Sequence, residues 1–304
     1  MKQNIKAHIA VLLANFFFGS AIVAVKHLSP SLMQPLALNV LRVGVALILL
    51  WILFLFQKQK AAINKKDIPL FIICALSGVT VNQILFIKGA SLTSPIHTSL
   101  LSLTTPVAIT IIAAFLLKEK LTTNKIIGLS LSIIGAVVLI LSKDQTNKSS
   151  DMFGDILVML NAVSYSFYLV LAKPLMEKYH PVHVIRWVFL FGAIMIIPLG
   201  WNDFINIKWS EFIWTHWLSL AFVVLGATFF AYLFIIYGIA HLGASITGMY
   251  IYTQPVFATI TAMVLFDERI SFTKLIAAAL IFSGVYLVNR KKILSATEAM
   301  ESLD

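Results

Sequence analysis

Two basic residues inside apolar segments are the side chains most able to bind a charged solute. Lys88 and Arg42 both lie about two helical turns inside long apolar runs, and a cation in hydrocarbon is costly enough to suggest a function. Lys88 is expected to contact an anion or a carboxylate; the alternative is a lysine that snorkels to the surface or has a structural partner. Arg42 has a counterpart in Arg186, which favours a structural role at a helix end.

Hydroxyl, amide and aromatic side chains recur at helical spacing in related segments of the chain. Such a face could hydrogen-bond and stack on a polar solute, or it could pack between helices. Tyr237 takes the place of Lys88 in the second half. Besides Lys88, the candidate substrate-binding residues are Asn15, Phe18, Thr98, Thr105, Asn161, Tyr165, Tyr237, Tyr250 and Gln254.

Catalytic and metal-binding patterns are missing from the sequence. It holds no HExxH or GxSxG motif, and Cys74 is its single cysteine, so we predict no catalytic residue, metal or cofactor. His97 is expected to make a local hydrogen bond. No acidic residue lies in the middle of an apolar run, which argues against a carboxylate-driven cation antiporter and favours a zwitterionic, anionic or neutral solute. An intramembrane enzyme is therefore disfavoured.

The elements that position these residues are predicted to be transmembrane helices. The chain has 304 residues, of which 60% are hydrophobic and 12% charged, whereas soluble domains have about 25% charged residues. Ten apolar runs are long enough to cross a bilayer. They span residues 7–27, 35–56, 68–90, 95–117, 124–142, 153–173, 182–201, 215–240, 245–266 and 273–289.

The basic residues predict the orientation of the chain. Ten spans place both termini on one side, and most lysines and arginines lie in loops on that side and in the tail of Arg290, Lys291 and Lys292. The positive-inside rule then puts the N- and C-termini in the cytoplasm, in what we expect to be a bacterial inner membrane. The net charge of +10 is explained by this bias, so nucleic acid is not an expected partner.

The two halves of the chain are similar to each other. A polar segment, Lys143 to Asp151, separates five spans from five, and we place the two repeats at residues 1–146 and 147–304. A shift of 149 positions pairs residues such as Pro106 with Pro255 without a gap. An odd number of spans per repeat inverts the second repeat, a recurring design of secondary transporters. The alternative is that duplication only built a larger bundle.

The paired prolines lie near the middle of their helices. Pro106 and Pro255 each remove a backbone hydrogen bond and should loosen the helix near Ser102 and Ile251. Irregular backbone at that depth is tolerated where protein or a water-filled cavity covers it. We therefore expect both prolines to be cavity-lining hinges; the alternative is that prolines are simply common in spanning helices.

Several segments resemble one known family. They include LANFFFGSAIVAVKHL, KGASLTSPIHTSLLSLTTPVAITIIAAFLLKEKLT and YIYTQPVFATITAMVLFDERISFTKLIAAALIFSGVYLV. A proline is followed 13 positions later by an acid in both halves, as Pro106 with Glu119 and Pro255 with Glu268. These features resemble the EamA family of the drug/metabolite transporter superfamily. The resemblance implies ten helices, a central cavity between the repeats, and export or facilitated movement of amino acids or similar metabolites.

The sequence therefore predicts an all-α integral membrane protein of ten transmembrane helices in two inverted repeats. Its expected function is transport of small metabolites by alternating access. A membrane scaffold or a lipid-handling protein is the main alternative, and a cavity between the halves would distinguish a transporter from a scaffold. The small residues Gly128, Gly135 and Gly284 permit close helix contacts within a chain or in a homodimer.

Overall fold

The computed structural model describes residues 2–55, 63–116, 121–141 and 151–301, and in these ranges the only regular structure is helical. Eight helices are long and apolar enough to cross a membrane, and two shorter apolar helices complete the set of ten. The chain is thus an all-α membrane protein of two five-helix repeats. Glu119 and the predicted boundary at residues 146/147 lie outside the described residues.

The first repeat contributes α1 to α5 and the second α6 to α10. The first five helices are α1 (Lys2–Leu28), α2 (Pro35–Leu55), α3 (Lys65–Leu92), α4 (Pro95–Leu116) and α5 (Thr123–Leu141). The last five are α6 (Met152–Lys178), α7 (Pro181–Ile205), α8 (Trp214–Ala221, Phe222–Phe230 and Ala231–Met249), α9 (Tyr250–Phe266) and α10 (Phe272–Glu301). We call the end of the bundle where α1 begins the terminal face, and the other end the opposite face.

The two repeats exchange their first helices. Helix α1 packs mainly against α8 and α9, and its counterpart α6 packs mainly against α3 and α4. Helix α2 pairs with α7, and α5 pairs with α10. The bundle therefore consists of two interlocked groups, one of α3, α4 and α6 and one of α8, α9 and α1, and each group contains helices from both repeats.

Both prolines mark breaks in their helices. Helix α4 is divided into Pro95–Ser102 and Thr105–Leu116, while α9 begins as a 3₁₀ turn, Tyr250–Thr253, before Gln254–Phe266. Pro106 and Pro255 are the second residues of the halves that follow. Because proline cannot donate to the preceding turn, it is tolerated in the first turn of a new helical segment. The structure thus has irregular backbone where the prolines predict it.

Widened turns also recur at equivalent places. Residues Leu76–Thr80 of α3 and Phe222–Phe230 of α8 are π-helical, and a shift of 149 places the first segment within the second. π-helical turns are rare and are frequent at functional sites. Each lies in the middle of the third helix of its repeat.

The boundary between α8 and α9 differs from the prediction. The sequence predicts spans at 215–240 and 245–266, but α8 continues through Met249. The equivalent place in the first repeat has a break before Pro95, and Ala244 stands where the 149-residue shift puts that proline. Without a proline to exclude the helical conformation of the preceding residue, the helix continues.

Candidate functional site

A buried arginine links three helices at the centre of the bundle. Arg42 of α2 is 7% exposed. Its Nε donates to Thr228 Oγ1 of α8 at 3.2 Å, and its Nη1 donates to Gln83 Oε1 of α3 at 2.8 Å. Among the described residues, Arg42 has no carboxylate within salt-bridge distance. Arg42 is therefore a charged interior residue and not the helix-end residue that its pairing with Arg186 suggests.

A chain of aromatic rings from both repeats leads away from this arginine. Tyr232 of α8 lies within electrostatic reach of Arg42 and of Tyr165. The ring of Phe18 meets that of Tyr232 edge to face with centroids 5.9 Å apart, and the centroids of Tyr165 and Tyr168 are 5.8 Å apart. We define the central cluster as Phe18, Arg42, Gln83, Tyr165, Tyr168, Thr228 and Tyr232.

A widened turn makes room for one of these rings. A Cβ on Gly78, inside the π-helical segment of α3, would lie 2.5 Å from Cγ of Tyr168. Since real Cβ atoms do not approach other atoms this closely, only glycine lets the Tyr168 ring lie against α3. Thr228, which receives the Arg42 hydrogen bond, lies in the matching π-helical segment of α8. The two irregular segments therefore shape opposite sides of the central cluster.

The helix breaks lie at the level of the central cluster. Ser166, between Tyr165 and Tyr168, donates to the Thr105 carbonyl at the break in α4, at 3.1 Å. The Gln254 carbonyl at the break in α9 lies 2.5 Å from the place of a Cβ on Gly19, the neighbour of Phe18. The cluster is thus flanked by both discontinuous helices, as in binding sites formed at the midplane of inverted-repeat transporters.

Four of the predicted binding residues form hydrogen bonds between helices. Gln254 Nε2 donates to Asn15 Oδ1 at 2.8 Å, which ties α9 to α1. Asn161 Nδ2 donates to the Asn82 carbonyl at 2.9 Å, which ties α6 to α3. A hydrogen bond of 2.7 Å joins the Tyr250 hydroxyl to Nδ1 of His8. Of the predicted set, only Phe18 and Tyr165 belong to the central cluster.

The remaining predicted residues are not members of the central cluster, although the Thr105 backbone carbonyl borders it through Ser166. Thr98 and Thr105 are buried, and their hydroxyls donate to the carbonyls of Ser94 and Ser102 in their own helix. The ring of Tyr237 contacts that of His241 in a tilted arrangement, with centroids 4.1 Å apart.

Lys88 is solvent- or lipid-exposed on α3. Its α3 neighbours Gly89 and Ser91 face α6 and α1: a Cβ on Gly89 would lie 2.9 Å from Val158, and the Ser91 carbonyl accepts from Lys26. The role of Lys88 as an anion contact stays a prediction.

Asp155, at the start of an apolar run in the sequence, is buried in the structure and pairs with His97. Asp155 is 1% exposed; its Oδ2 lies 3.0 Å from His97 Nδ1, and its Oδ1 accepts from Thr93 Oγ1 at 2.5 Å. The site joins the start of α4 to the start of α6. The bond between His8 and Tyr250 joins α1 to α9 in the same way. Sequence spacing could not reveal the pair, since its members are 58 residues apart.

One lysine bridges the two helix groups near the opposite face. Lys26 Nζ of α1 donates to the Ser91 carbonyl at the end of α3, at 2.8 Å, and Glu268 lies within electrostatic reach. There the first half of α4 also packs against the second half of α9. Nearer the terminal face, the described segments Thr105–Leu116 and Tyr250–Thr253 make at most marginal contact with each other. The two groups are therefore joined toward the opposite face.

A second, peripheral groove lies between α9 and α10. It is mostly apolar, and it is lined by Tyr252, Phe282, Ser283, Tyr286 and Leu287. None of these residues belongs to the central cluster, so the groove is a separate feature. In the described part of the chain, no group of three or more His, Cys, Asp or Glu is placed to hold a metal ion.

Several known proteins with similar sequences are named as transporters. A protein of Bacillus subtilis named "Uncharacterized transporter YetK" is 24% identical over 96% of this chain and 89% of its own length. An "Uncharacterized transporter" of Archaeoglobus fulgidus is 25% identical over 94% of this chain and 100% of its own. The "Probable terminal-alkyne amino-acid exporter" of Streptantibioticus cattleyicolor is 25% identical over 77% of each chain.

The fold and the repeats are matched independently. A solved crystal structure superposes with a TM-score of 0.60 at 19% identity, over 92% of this chain and 95% of the other, which supports the fold alone. The model of the EamA-like transporter family matches residues 5–141 and 152–290, once for each repeat. Since these matches cover most of the chain, the protein belongs to the EamA-like transporter family.

Proposed function

We propose that this protein moves small metabolites, namely amino acids or related zwitterionic or anionic solutes, across the membrane by alternating access, without catalysis. The central cluster is the main support for this function. It places a buried cation and four aromatic rings between two interlocked inverted repeats, beside two broken helices. A scaffold has no need for a charged, irregular interior, because unpaired charge and broken backbone both lower stability.

The uneven contacts between the helix groups support alternating access. The groups touch through Lys26 and Ser91 near the opposite face, and hardly touch through the described α4 and α9 segments near the terminal face. Because the repeats are inverted, exchanging their conformations would close the terminal face and open the opposite one. In the proposed cycle, this exchange gives the second state.

The solute class is supported by charge and by a relative. No described acidic side chain belongs to the central cluster, whereas a cation does, which favours solutes that carry a negative group. One relative of the chain is named a probable amino-acid exporter. We propose that the protein lies in a bacterial inner membrane with both termini in the cytoplasm; a homodimer stays a prediction.

The proposal is tested by uptake and counterflow in proteoliposomes across a panel of amino acids and metabolites, with and without a pH gradient. We expect saturable counterflow of at least one amino acid or related anion. Lys88→Ala in the same assay tests the predicted anion contact, since unchanged transport of every solute would remove it. Transbilayer movement of labelled lipid without solute counterflow would instead support lipid handling, for which the apolar groove between α9 and α10 is the candidate site.

The two prolines are expected to set the turnover rate. In Pro106→Ala and Pro255→Ala, a restored backbone hydrogen bond of about 1 kcal/mol would stiffen the break and slow counterflow by about fivefold. The proteins should still fold, with unchanged elution in gel filtration. Normal turnover in both variants would show that the breaks do not act as hinges.

A further inference from the structure

We propose that Arg42 binds the negative group of the transported solute, and that the central cluster therefore selects solutes that carry a carboxylate. This inference rests on the proposed transport function and adds the residue that determines the charge of the solute. It assigns to Arg42 the role that the sequence predicts for Lys88.

The positive charge of Arg42 is not balanced by any described carboxylate. A guanidinium has five N–H donors, and the structure uses two of them, toward Thr228 and Gln83. Both acceptors are neutral, and no described carboxylate is within salt-bridge distance. A buried arginine is ordinarily paired, because removing an unpaired ion from water is strongly unfavourable. A bound anion would supply the missing partner.

Three tyrosines of the central cluster offer further hydrogen-bond donors. The hydroxyls of Tyr165, Tyr168 and Tyr232 have no hydrogen-bond partner among the described residues, and none of them is a fully enclosed atom. A carboxylate accepts several hydrogen bonds, and the planar guanidinium fork matches its two oxygens. Tyrosine hydroxyls can donate to the same group, while the rings accommodate an apolar body.

The repeat counterpart of Arg42 differs in lying against aromatic rings, while its buried Nε and Nη1 have no hydrogen-bond partner among the described residues. The Arg186 guanidinium lies 3.3 Å from the ring centroid of Phe54 and 4.6 Å from that of Trp51. Its Nη2 lies 2.9 Å from His183 Nδ1. Aromatic faces stabilise this cation. Arg42 has no such stacked ring in the described structure, so the two arginines are not equivalent.

The test compares acids with their amides, which keep the shape but lose the charge. Proteoliposomes would be assayed with leucine, leucinamide, 4-methylpentanoate and 4-methylpentanamide. We expect the wild-type protein to move each acid at least about tenfold faster than its amide, as a lost charged hydrogen bond implies. In Arg42→Gln the acid-to-amide ratio should fall to about one, and Arg42→Lys should keep part of it because the charge is retained. Arg186→Gln, which removes the same charge elsewhere, should keep the wild-type ratio.

Equal transport of acid and amide by the wild-type protein, or an unchanged ratio in Arg42→Gln, would overturn the assignment. Thermal unfolding of the purified wild-type protein provides a second measurement that needs no variant. There the acids should raise the unfolding midpoint and the amides should not.

If no solute moves but the acids still stabilise the protein, the transport proposal fails and the anion site stands. If solutes move without preference for acids, transport stands and the anion site fails. Neither transport nor stabilisation by the acids would overturn both.

Discussion

Gly284→Ala is expected to lower the thermal unfolding midpoint more than substitution of any glycine in open space. A Cβ at this position would lie 2.5 Å from the Gly128 carbonyl oxygen and 2.6 Å from the Ser132 amide nitrogen, and would clash with Ser132 Oγ. Two of these three atoms belong to the backbone of α5, so the helices must separate. Overpacking of this kind costs about 1–3 kcal/mol, and α5 and α10 would lose their close contact.

The matched control is Gly44→Ala in α2, where a Cβ would meet no atom within 4 Å. Alanine is favoured over glycine in a helix by about 1 kcal/mol, so Gly44→Ala should leave the midpoint unchanged or raise it. Circular dichroism or a thiol-independent thermal assay in detergent measures both. Similar midpoints for the two variants would show that α5 and α10 are not held together by this contact.

The close approach of α5 and α10 also answers one question that the sequence leaves open. Gly128, Gly135 and Gly284 are expected to allow helix contacts within or between chains. In the structure, Gly128 faces Gly284, and Gly135 faces the backbone of Ala277. These three glycines are therefore used inside one chain.

The ten helices and their inverted repeats were predictable because each depends on local properties. A run of apolar residues must be helical to satisfy its backbone in lipid, and the shift of 149 positions is visible in the residues themselves. The helix breaks were predictable for the same reason, since Pro106 and Pro255 act on their own helices. The long α8 was not, because its continuation depends on Ala244 at a place where the first repeat has Pro95.

The site was predictable only in part, because contacts between helices depend on how the helices face one another. The helical spacing of Asn15 and Asn161 identified polar faces, but these amides bond to other helices and not to the central cluster. Arg42 was assigned by analogy to Arg186, and the structure gives the two different neighbours. Asp155 begins a helix in sequence, yet the loop before α4 covers it and makes it a buried partner of His97.

Neutralising Lys26 is expected to open the bundle toward the opposite face. The Lys26 ammonium donates across the two helix groups to the Ser91 carbonyl, and a hydrogen bond from a charged group contributes about 1.5–3 kcal/mol. Lys26→Met keeps the length of the side chain and removes the donor. The ratio of the two states should therefore change by about tenfold or more.

Lys173 is the counterpart of Lys26 in the second repeat, at a shift slightly different from 149. Its substitution should shift the ratio of the two states in the opposite direction. Lys173 is exposed in this structure, where the terminal-face segments of α4 and α9 hardly touch. Exchange of conformations between the repeats would bring Lys173 toward the region of Ala240, which the 149-residue shift pairs with Ser91. Lys173→Met should thus weaken closure of the terminal face and stabilise the state described here.

Phe18→Cys, in a Cys74→Ala background, places a single thiol in the central cluster. Its rate of maleimide labelling measures the effects of Lys26→Met and Lys173→Met. Because the first half of α4 packs against the second half of α9 toward the opposite face, a membrane-impermeant maleimide added there should label it slowly. Lys26→Met should increase the labelling rate by about tenfold, and Lys173→Met should decrease this rate. Lys26→Arg should keep the slow labelling seen with Lys26, because arginine keeps a charged donor. Equal labelling in Lys26→Met and Lys173→Met would mean that these lysines do not close alternate faces, and the exchange of conformations between the repeats would lose its support.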